Sequence, residues 1–296
     1  MIKSFFDKLN ITYETNASLK NYNTYKVETI CDYLVFPKNE SELITILKEV
    51  KKENIKYLIL GNGSNIILSK PIFKGVVIKL DHLNEVKYDG HLVTAGAGYS
   101  LIKLAVETID KGLSGLEFAA GIPGCVGGST AMNAGAYNSD MSSVVKEVRV
   151  LTPNLEIVTM SNTDMAYEYR DSFLKKHRGY IALSTTLELT DGDPETMRSL
   201  IKERRIKRLA SQPLDMPSAG SVFRNPEGMY AGELIEKSNL KGYAIGGAKV
   251  SEKHANFIIN NGGATGQDIV NLINKIQKEI KTNYNVSLKI EQIIVE

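Results

Sequence analysis

Residues 121–128 read GIPGCVGG, four glycines and a proline in eight positions. No apolar periodicity of helix or strand runs through them. A turn uses one glycine or two, so this stretch supplies bare backbone for another purpose. GNGSN at 61–65 and AGAG at 95–98 precede it. Any one of these pieces is explained as a turn or a tight packing point. The three together favour a long cofactor with a diphosphate in its middle. Successive N–H groups without side chains form concave anion sites, and small residues let a diphosphate approach the backbone. STAMNAGAY, which follows GIPGCVGG, reads as a short helix whose N-terminus would add its dipole and free N–H groups.

A dinucleotide fingerprint is excluded. GNGSN follows the apolar run Tyr57–Leu60, but the third glycine is missing at Ile66, and IILS continues extended where a helix should begin. GAGYSL at 96–101 fails in the same way at Leu101.

The surrounding chain mixes strands and helices. ICDYLVF (30–36), Tyr57–Leu60, GVVIKL (75–80), HLVT (91–94), EVRVLT (147–152) and YIALSTTLEL (180–189) read as strands. Asn39 or Ser41 caps a helix with Leu43, Ile46, Leu47 and Val50 on one face. SLIKLAVETIDKGL (100–113) is helical and stops near Gly112. At Asp193 the character changes: Pro194 opens a polar helix reaching about Ala210, a helix covers 267–283, and VSLKIEQIIV closes as a strand. A length of 296 residues suits about two domains, with a boundary near 192.

A net charge of +2 gives no field to attract nucleic acid or a membrane surface. No apolar run is long enough to span a bilayer, and MIKSFFDKLN lacks the apolar core of a signal peptide, so a cytoplasmic protein is expected. Cys31 and Cys125 stand alone, with no CxxC and no histidine at zinc spacing, which predicts reduced thiols and no metal.

NTYKV (23–27), GNGSN (61–65), GLSGLEFAAGIPGCVGGSTAMNAGAY (112–137), YRDS (169–172), QPLDMPSAGSVFRNP (212–226) and EKHANFIIN (252–260) follow one another in this order. With these the chain resembles, over nearly its whole length, the UDP-N-acetylenolpyruvoylglucosamine reductases, also called UDP-N-acetylmuramate dehydrogenases. These are bacterial flavoenzymes of peptidoglycan precursor synthesis. The resemblance implies an α+β fold. Residues 1–192 would form an FAD-binding domain of the vanillyl-alcohol-oxidase (PCMH) type, in two lobes split near 80–90. Residues 193–296 would form a smaller substrate domain whose last strand returns toward the active site. It implies FAD as cofactor, NADPH as hydride donor, a UDP-sugar substrate and a monomer. Little room separates YRDS from PSAGSVF, so the chain resembles the shorter type without an extra substrate-covering segment. Glu28-Thr29 and Asn138-Ser139 stand where many members carry Gly-Gly.

Carried over position by position, the resemblance places FAD on Asn23, Thr24, Gly61, Asn62, Gly63, Ser64, Asn65, Gly121, Pro123, Gly124, Gly127, Gly128, Asn133, Gly135, Ala136 and Tyr137. Tyr169, Arg224, Asn225, Lys253 and His254 would meet the substrate. Three positions match the family's catalytic set: Ser221 as proton donor, Arg170 as the cation holding the substrate carboxylate, and Glu291 as the carboxyl group on its far side. The chemistry suits these residue types. Hydride addition to an alkene beside a carboxylate leaves an enolate-like, doubly negative group, which needs a proton donor and groups that spread charge. Arginine grips a carboxylate with a planar, permanently charged fork. Glu291 has the weakest motif, with Glu296 a rival. Arg224, or the run Arg204-Arg205-Ile-Lys-Arg208, could meet the UDP diphosphate, although a solvated basic helix face is the better account of the run. Two other classes stay open on the residues alone: an alcohol or sugar oxidase carrying FAD covalently, with Cys125 in the glycine loop, and a non-catalytic nucleotide-binding module.

Overall fold

The computed structural model describes residues 2–296. It has the expected mixture of helices and mainly antiparallel sheets. The described residues divide into two compact units, residues 2–15, 33–62 and 75–205 in one and residues 16–32, 63–74 and 206–296 in the other.

In the first unit, the strands Ile157–Ser161, Val145–Leu151, Ile181–Glu188, Leu92–Gly96 and Val86–Asp89 form an antiparallel sheet in that order. One face of its central strands joins Leu101, Leu104 and Ala105 of the helix Leu101–Asp110 in a buried core. A second core gathers the apolar face of the helix Glu40–Lys52 with Phe6, Val76 and Ile78. That helix starts as the sequence predicts, with Asn39 accepting from the Glu42 amide. Its strand neighbours belong to a sheet ordered Tyr13–Ser18, Ile30–Val35, Ile72–Lys79, Tyr57–Leu60.

In the second unit, Ala244–Ile245, Ala248–Val250 and Ile258–Asn260 form a small antiparallel sheet. The helix Gly266–Tyr284 lies against its first two strands and against the strand Ile66–Leu68, and it buries Ile269, Leu272, Ile273, Ile276 and Ile280 along one side. Ile66–Leu68 pairs in parallel with Ile293–Val295.

The expected boundary near 192 differs from this partition in two ways. Residues 193–205 group with the first unit, where Arg198 meets Asp110 at 2.6 Å and the Arg204 guanidinium lies 4.5 Å over the Tyr137 ring. Residues 16–32 and 63–74 group with the second unit through partners more than 200 positions away, such as Tyr25 with Gln292. Hydrophobic periodicity reports the face a segment buries, not the partner that covers it.

Candidate active site

In the first unit the glycine loops meet at Cys125. A Cβ added at Gly61 would lie 2.7 Å from the Cys125 sulfur, and one at Gly128 would lie 3.4 Å from it. A Cβ at Gly124 would stand 2.7 Å from Ser129 Oγ, and one at Gly127 2.7 Å from the Ala97 Cβ. These are close approaches of backbone to neighbouring atoms, and only glycine permits them without displacement. Gly128 is exposed and Gly61 and Gly121 half-buried, so their backbone stays open to solvent beside the exposed Asn62 and Pro123. Behind it Lys79 is nearly fully buried, with Nζ donating to the Gly61 carbonyl at 2.6 Å and meeting Asp81 at 3.1 Å.

Two details differ from the sequence reading. The short helix is Val126–Met132 and begins inside GIPGCVGG, not after it. Its first amides are not free: Val126 N donates to Tyr99 O at 2.8 Å and Gly127 N to Ala97 O at 2.9 Å. The AGAG segment likewise serves packing. A Cβ at Gly96 or Gly98 would run into the carbonyls of Leu83 and Leu80.

Asn133 ends that helix in the left-handed conformation, φ 44°. Its amide bridges three pieces of chain: Nδ2 donates to Asp140 Oδ2 at 3.1 Å and to Glu168 O at 2.9 Å, while Oδ1 accepts from Ser142 N at 2.9 Å. Gly135 and Ala136 pair with Asp140 and Ser139. Arg170, itself at φ 56°, donates to the carbonyls of Asn133 at 3.4 Å and Gly135 at 2.5 Å, and its guanidinium lies 5.2 Å from the exposed Tyr169 ring. Arg170 and Tyr169 therefore share one neighbourhood with Asn133 and Gly135. Tyr137 donates to Arg204 O at 3.1 Å under the Arg204 guanidinium. The helix Pro194–Ser211 buries only Met197, in keeping with a solvated basic face.

In the second unit the NTYKV segment is a loop tied by its own asparagine. Asn23 is buried; Nδ2 donates to Leu19 O and Val27 O at 2.7 and 3.0 Å, and Oδ1 accepts from Val27 N at 3.1 Å. Asn23 thus shapes the loop. Thr24 donates through N and Oγ1 to Gly63 O at 3.2 and 3.3 Å. Gly63 has φ 63°, and a Cβ there would overlap Tyr22 O. Ser64 is half-buried beside it, and Asn65 Nδ2 donates to Glu291 O at 3.4 Å.

Ser221 follows Gly220, whose φ is 74°. From Ser221 the chain runs extended between two neighbours, bridging Phe257 on one side, while Phe223 bridges Ile290 on the other. Val222 N donates to Asn256 O at 2.9 Å, and Glu291 N donates to Val222 O at 2.8 Å. Two of the expected catalytic residues, Ser221 and Glu291, thus lie on adjoining extended segments. Asn256, buried, clasps Phe223 with its side chain, Oδ1 accepting from Phe223 N at 3.0 Å and Nδ2 donating to Phe223 O at 2.8 Å. Asn225 Oδ1 accepts from Ala231 N, the first residue of the helix Ala231–Lys237, at 3.1 Å. Arg224 N donates to Lys289 O at 2.9 Å. Lys253 Nζ donates to Leu209 O at 2.5 Å. His254 Nδ1 accepts from Asn256 N at 3.2 Å, which leaves the proton of the neutral ring on Nε2. Burial pushes its imidazole below the ordinary histidine value.

Lys79, Asn256 and Gln292 are the polar residues that the sequence reading passed over. Only Lys79 carried a signal, a lysine inside the apolar run GVVIKL. No group of histidine, cysteine and carboxylate side chains suited to a metal occurs among the described residues. No helix of the described residues is long and apolar enough to cross a membrane.

An exposed surface of side-chain-free backbone in an α+β unit, outside the Rossmann pattern, suits the close approach of FAD. The family described as "FAD binding domain" matches residues 31–161. The chain is a flavoprotein with an FAD-binding region of the vanillyl-alcohol-oxidase type. A BBE-like 1 protein of Physcomitrella patens shares this fold, with TM-score 0.52 at 16% identity over 64% of this chain and 44% of that one. The family described as "UDP-N-acetylenolpyruvoylglucosamine reductase, C-terminal domain" matches residues 212–295. UDP-N-acetylenolpyruvoylglucosamine reductase of Clostridium perfringens (strain SM101 / Type A) is 40% identical over 100% of this chain and 96% of its own length. The crystal structure of UDP-N-acetylenolpyruvylglucosamine reductase from Thermus caldophilus superposes with TM-score 0.82 at 30% identity, covering 97% of this chain and 99% of that one. The chain belongs to the UDP-N-acetylenolpyruvoylglucosamine reductase family. It is an FAD-dependent oxidoreductase that uses NADPH to reduce the enolpyruvyl group of UDP-N-acetylglucosamine enolpyruvate, giving UDP-N-acetylmuramate for peptidoglycan synthesis.

Proposed function

We propose that Ser221 donates the proton that completes this reduction, with Arg170 gripping the substrate carboxylate and Glu291 on its far side. FAD, when bound, supplies the hydride it has taken from NADPH. The glycine surface around Gly61, Gly121, Gly124 and Gly128 cradles that cofactor, and Thr24 with Gly63, Ser64 and Asn65 furnishes further backbone to it. Hydride arrival makes the carbon next to the substrate carboxylate strongly basic. Ser221 Oγ–H gives its proton there, and the charge left on Oγ is offset by neighbouring donors until solvent restores the proton. Arg170 is suited to its part because two backbone carbonyls already fix its fork. Tyr169, Arg224, Asn225, Lys253 and His254 line the path of the UDP-sugar. Residues up to about 192 bind FAD, and the remainder chiefly serves the substrate. The enzyme is of the shorter type and works as a monomer in the cytoplasm.

The observation that carries this reading is the setting of Ser221. It follows a left-handed glycine and enters an extended segment that hydrogen-bonds to the stretch bearing Glu291. Ser221→Ala tests it in two half-reactions. Bleaching by NADPH needs no proton from Ser221 and should run near the native rate. Return of the yellow colour on mixing with the enolpyruvyl substrate should slow about 100- to 10,000-fold, the usual worth of a positioned acid. Return at the native rate would remove Ser221 from the role.

A further inference from the structure

The turn that presents Ser221 is held by a buried side chain outside the expected catalytic set. Gln292 is 4% exposed. Its Nε2 shares two hydrogens among three successive carbonyls, Ala219 at 3.0 Å, Gly220 at 3.2 Å and Ser221 at 3.4 Å. Its Oε1 accepts from the hydroxyl of Tyr25, fully buried, at 2.9 Å. The amide has one possible orientation. Three carbonyls only accept, so the NH2 must face them, and the oxygen is left to the one group able to donate, the Tyr25 hydroxyl.

Three consecutive carbonyls can converge on one nitrogen only if the chain curls, and Gly220 at φ 74° supplies the curl. An apolar side chain of Gln292's size would take from these inward-turned carbonyls the donor they share, a costly change for buried backbone. Beyond the turn, Val222 is fixed by Asn256 O and Glu291 N. Ser221 is thus clamped from both sides of its own peptide units. Gln292 is also the neighbour of Glu291, so one dipeptide carries a proposed substrate-facing carboxyl group and the clamp on the serine. Tyr25 is anchored in turn, its carbonyl accepting from Asn260 Nδ2 at 2.9 Å and its loop tied by Asn23.

We infer that Gln292, oriented by Tyr25, is a positioning residue for proton donation: it fixes the 219–221 turn so that the Ser221 hydroxyl meets the substrate carbon. The inference rests on the proposed role of Ser221. Gln292 touches neither substrate nor cofactor in this account and acts through the serine alone.

The test uses holoenzyme carrying Gln292→Leu, Tyr25→Phe, Ser221→Ala, or Ser221→Ala combined with Gln292→Leu. Bleaching by NADPH should stay within about twofold of native for Gln292→Leu, while reoxidation by the enolpyruvyl substrate slows about 10- to 100-fold, the scale of a misplacement near 1 Å. In the Ser221→Ala background, Gln292→Leu should add no further slowing, because the group it positions is gone. Hydrogen exchange followed by mass spectrometry should show faster exchange in the peptide spanning 219–222, a readout independent of turnover. Tyr25→Phe, which leaves the Gln292 amide in place, should slow reoxidation at least about threefold and serves alone if Gln292→Leu does not fold. Native-rate reoxidation in Gln292→Leu, or in Tyr25→Phe where that is the folded variant, overturns the inference. So does a full multiplicative loss in the double variant, which would mean a general structural defect. Native-rate reoxidation in Ser221→Ala instead overturns the role of the serine, and the inference falls with it.

Discussion

His254 shows how a single side chain in this molecule couples to solution conditions. Its imidazole is pushed below the ordinary value of 6.5 first by burial and further by Lys241, against an opposing pull from Glu236. The unfolded chain therefore takes up a proton at His254 before the folded protein does. The His254 contribution to stability is intact above the ordinary value and declines as pH falls through it toward the lower folded value. Urea midpoints measured from about pH 7.5 down to about pH 5.5 should fall less steeply for His254→Gln than for the native protein. Equal slopes would show that other groups set the pH response. At this scale the sequence was partly legible. Ser221, Arg170 and Glu291 could be proposed from motifs, because their residue types suit the chemistry. Gln292 and Asn256 could not, since a glutamine in KIEQIIV and an asparagine in HANFIIN look like ordinary strand residues until their backbone partners are known.

At the scale of elements, what could be read was what depends on near neighbours. The helix Glu40–Lys52, its Asn39 cap and the strand Tyr57–Leu60 came out where periodicity and capping rules put them. The helix Val126–Met132 did not, because its start is set by hydrogen bonds from the loop at 97–99 and not by local propensity. The helix Gly266–Tyr284 combines both kinds of control. Thr265 and Asp268 form a capping box, a local device, and the bonds to Thr265 hold the Asp268 carboxyl below the usual range. Gly266 answers to a distant element. A Cβ there would run into the Leu68 carbonyl and come within 2.8 Å of the Ser69 Cα. Gly266→Ala gains intrinsic helix propensity yet should lose about 1–3 kcal/mol overall, since backbone on both sides must move apart. A urea midpoint unchanged or raised would show that the contact relaxes freely.

For the whole molecule, the second unit is assembled from three stretches of chain, and the last residues complete it. Val295 O accepts both Ser69 N and Ser69 Oγ at 2.9 Å, and Ile293 N donates to Asn65 O at 2.9 Å. Removing residues 293–296 deletes these three bonds, worth roughly 1 kcal/mol each, and the parallel pairing of Ile293–Val295 with Ile66–Leu68, so stability should drop by at least about 3 kcal/mol. Chemical denaturation of the truncated protein measures it, and a loss within error of zero would mean that the terminal strand is ornamental. The order of synthesis gives this pairing a biological edge. Tyr25, Ile67 and Leu68, all buried in the folded protein, leave the ribosome long before their partners at 292–295 exist. A growing chain carries that apolar surface uncovered until residues 292–295 have emerged, as a client for chaperones. A chain that lacks residues 292–295 leaves this surface uncovered, in a form that chaperones and proteases recognise.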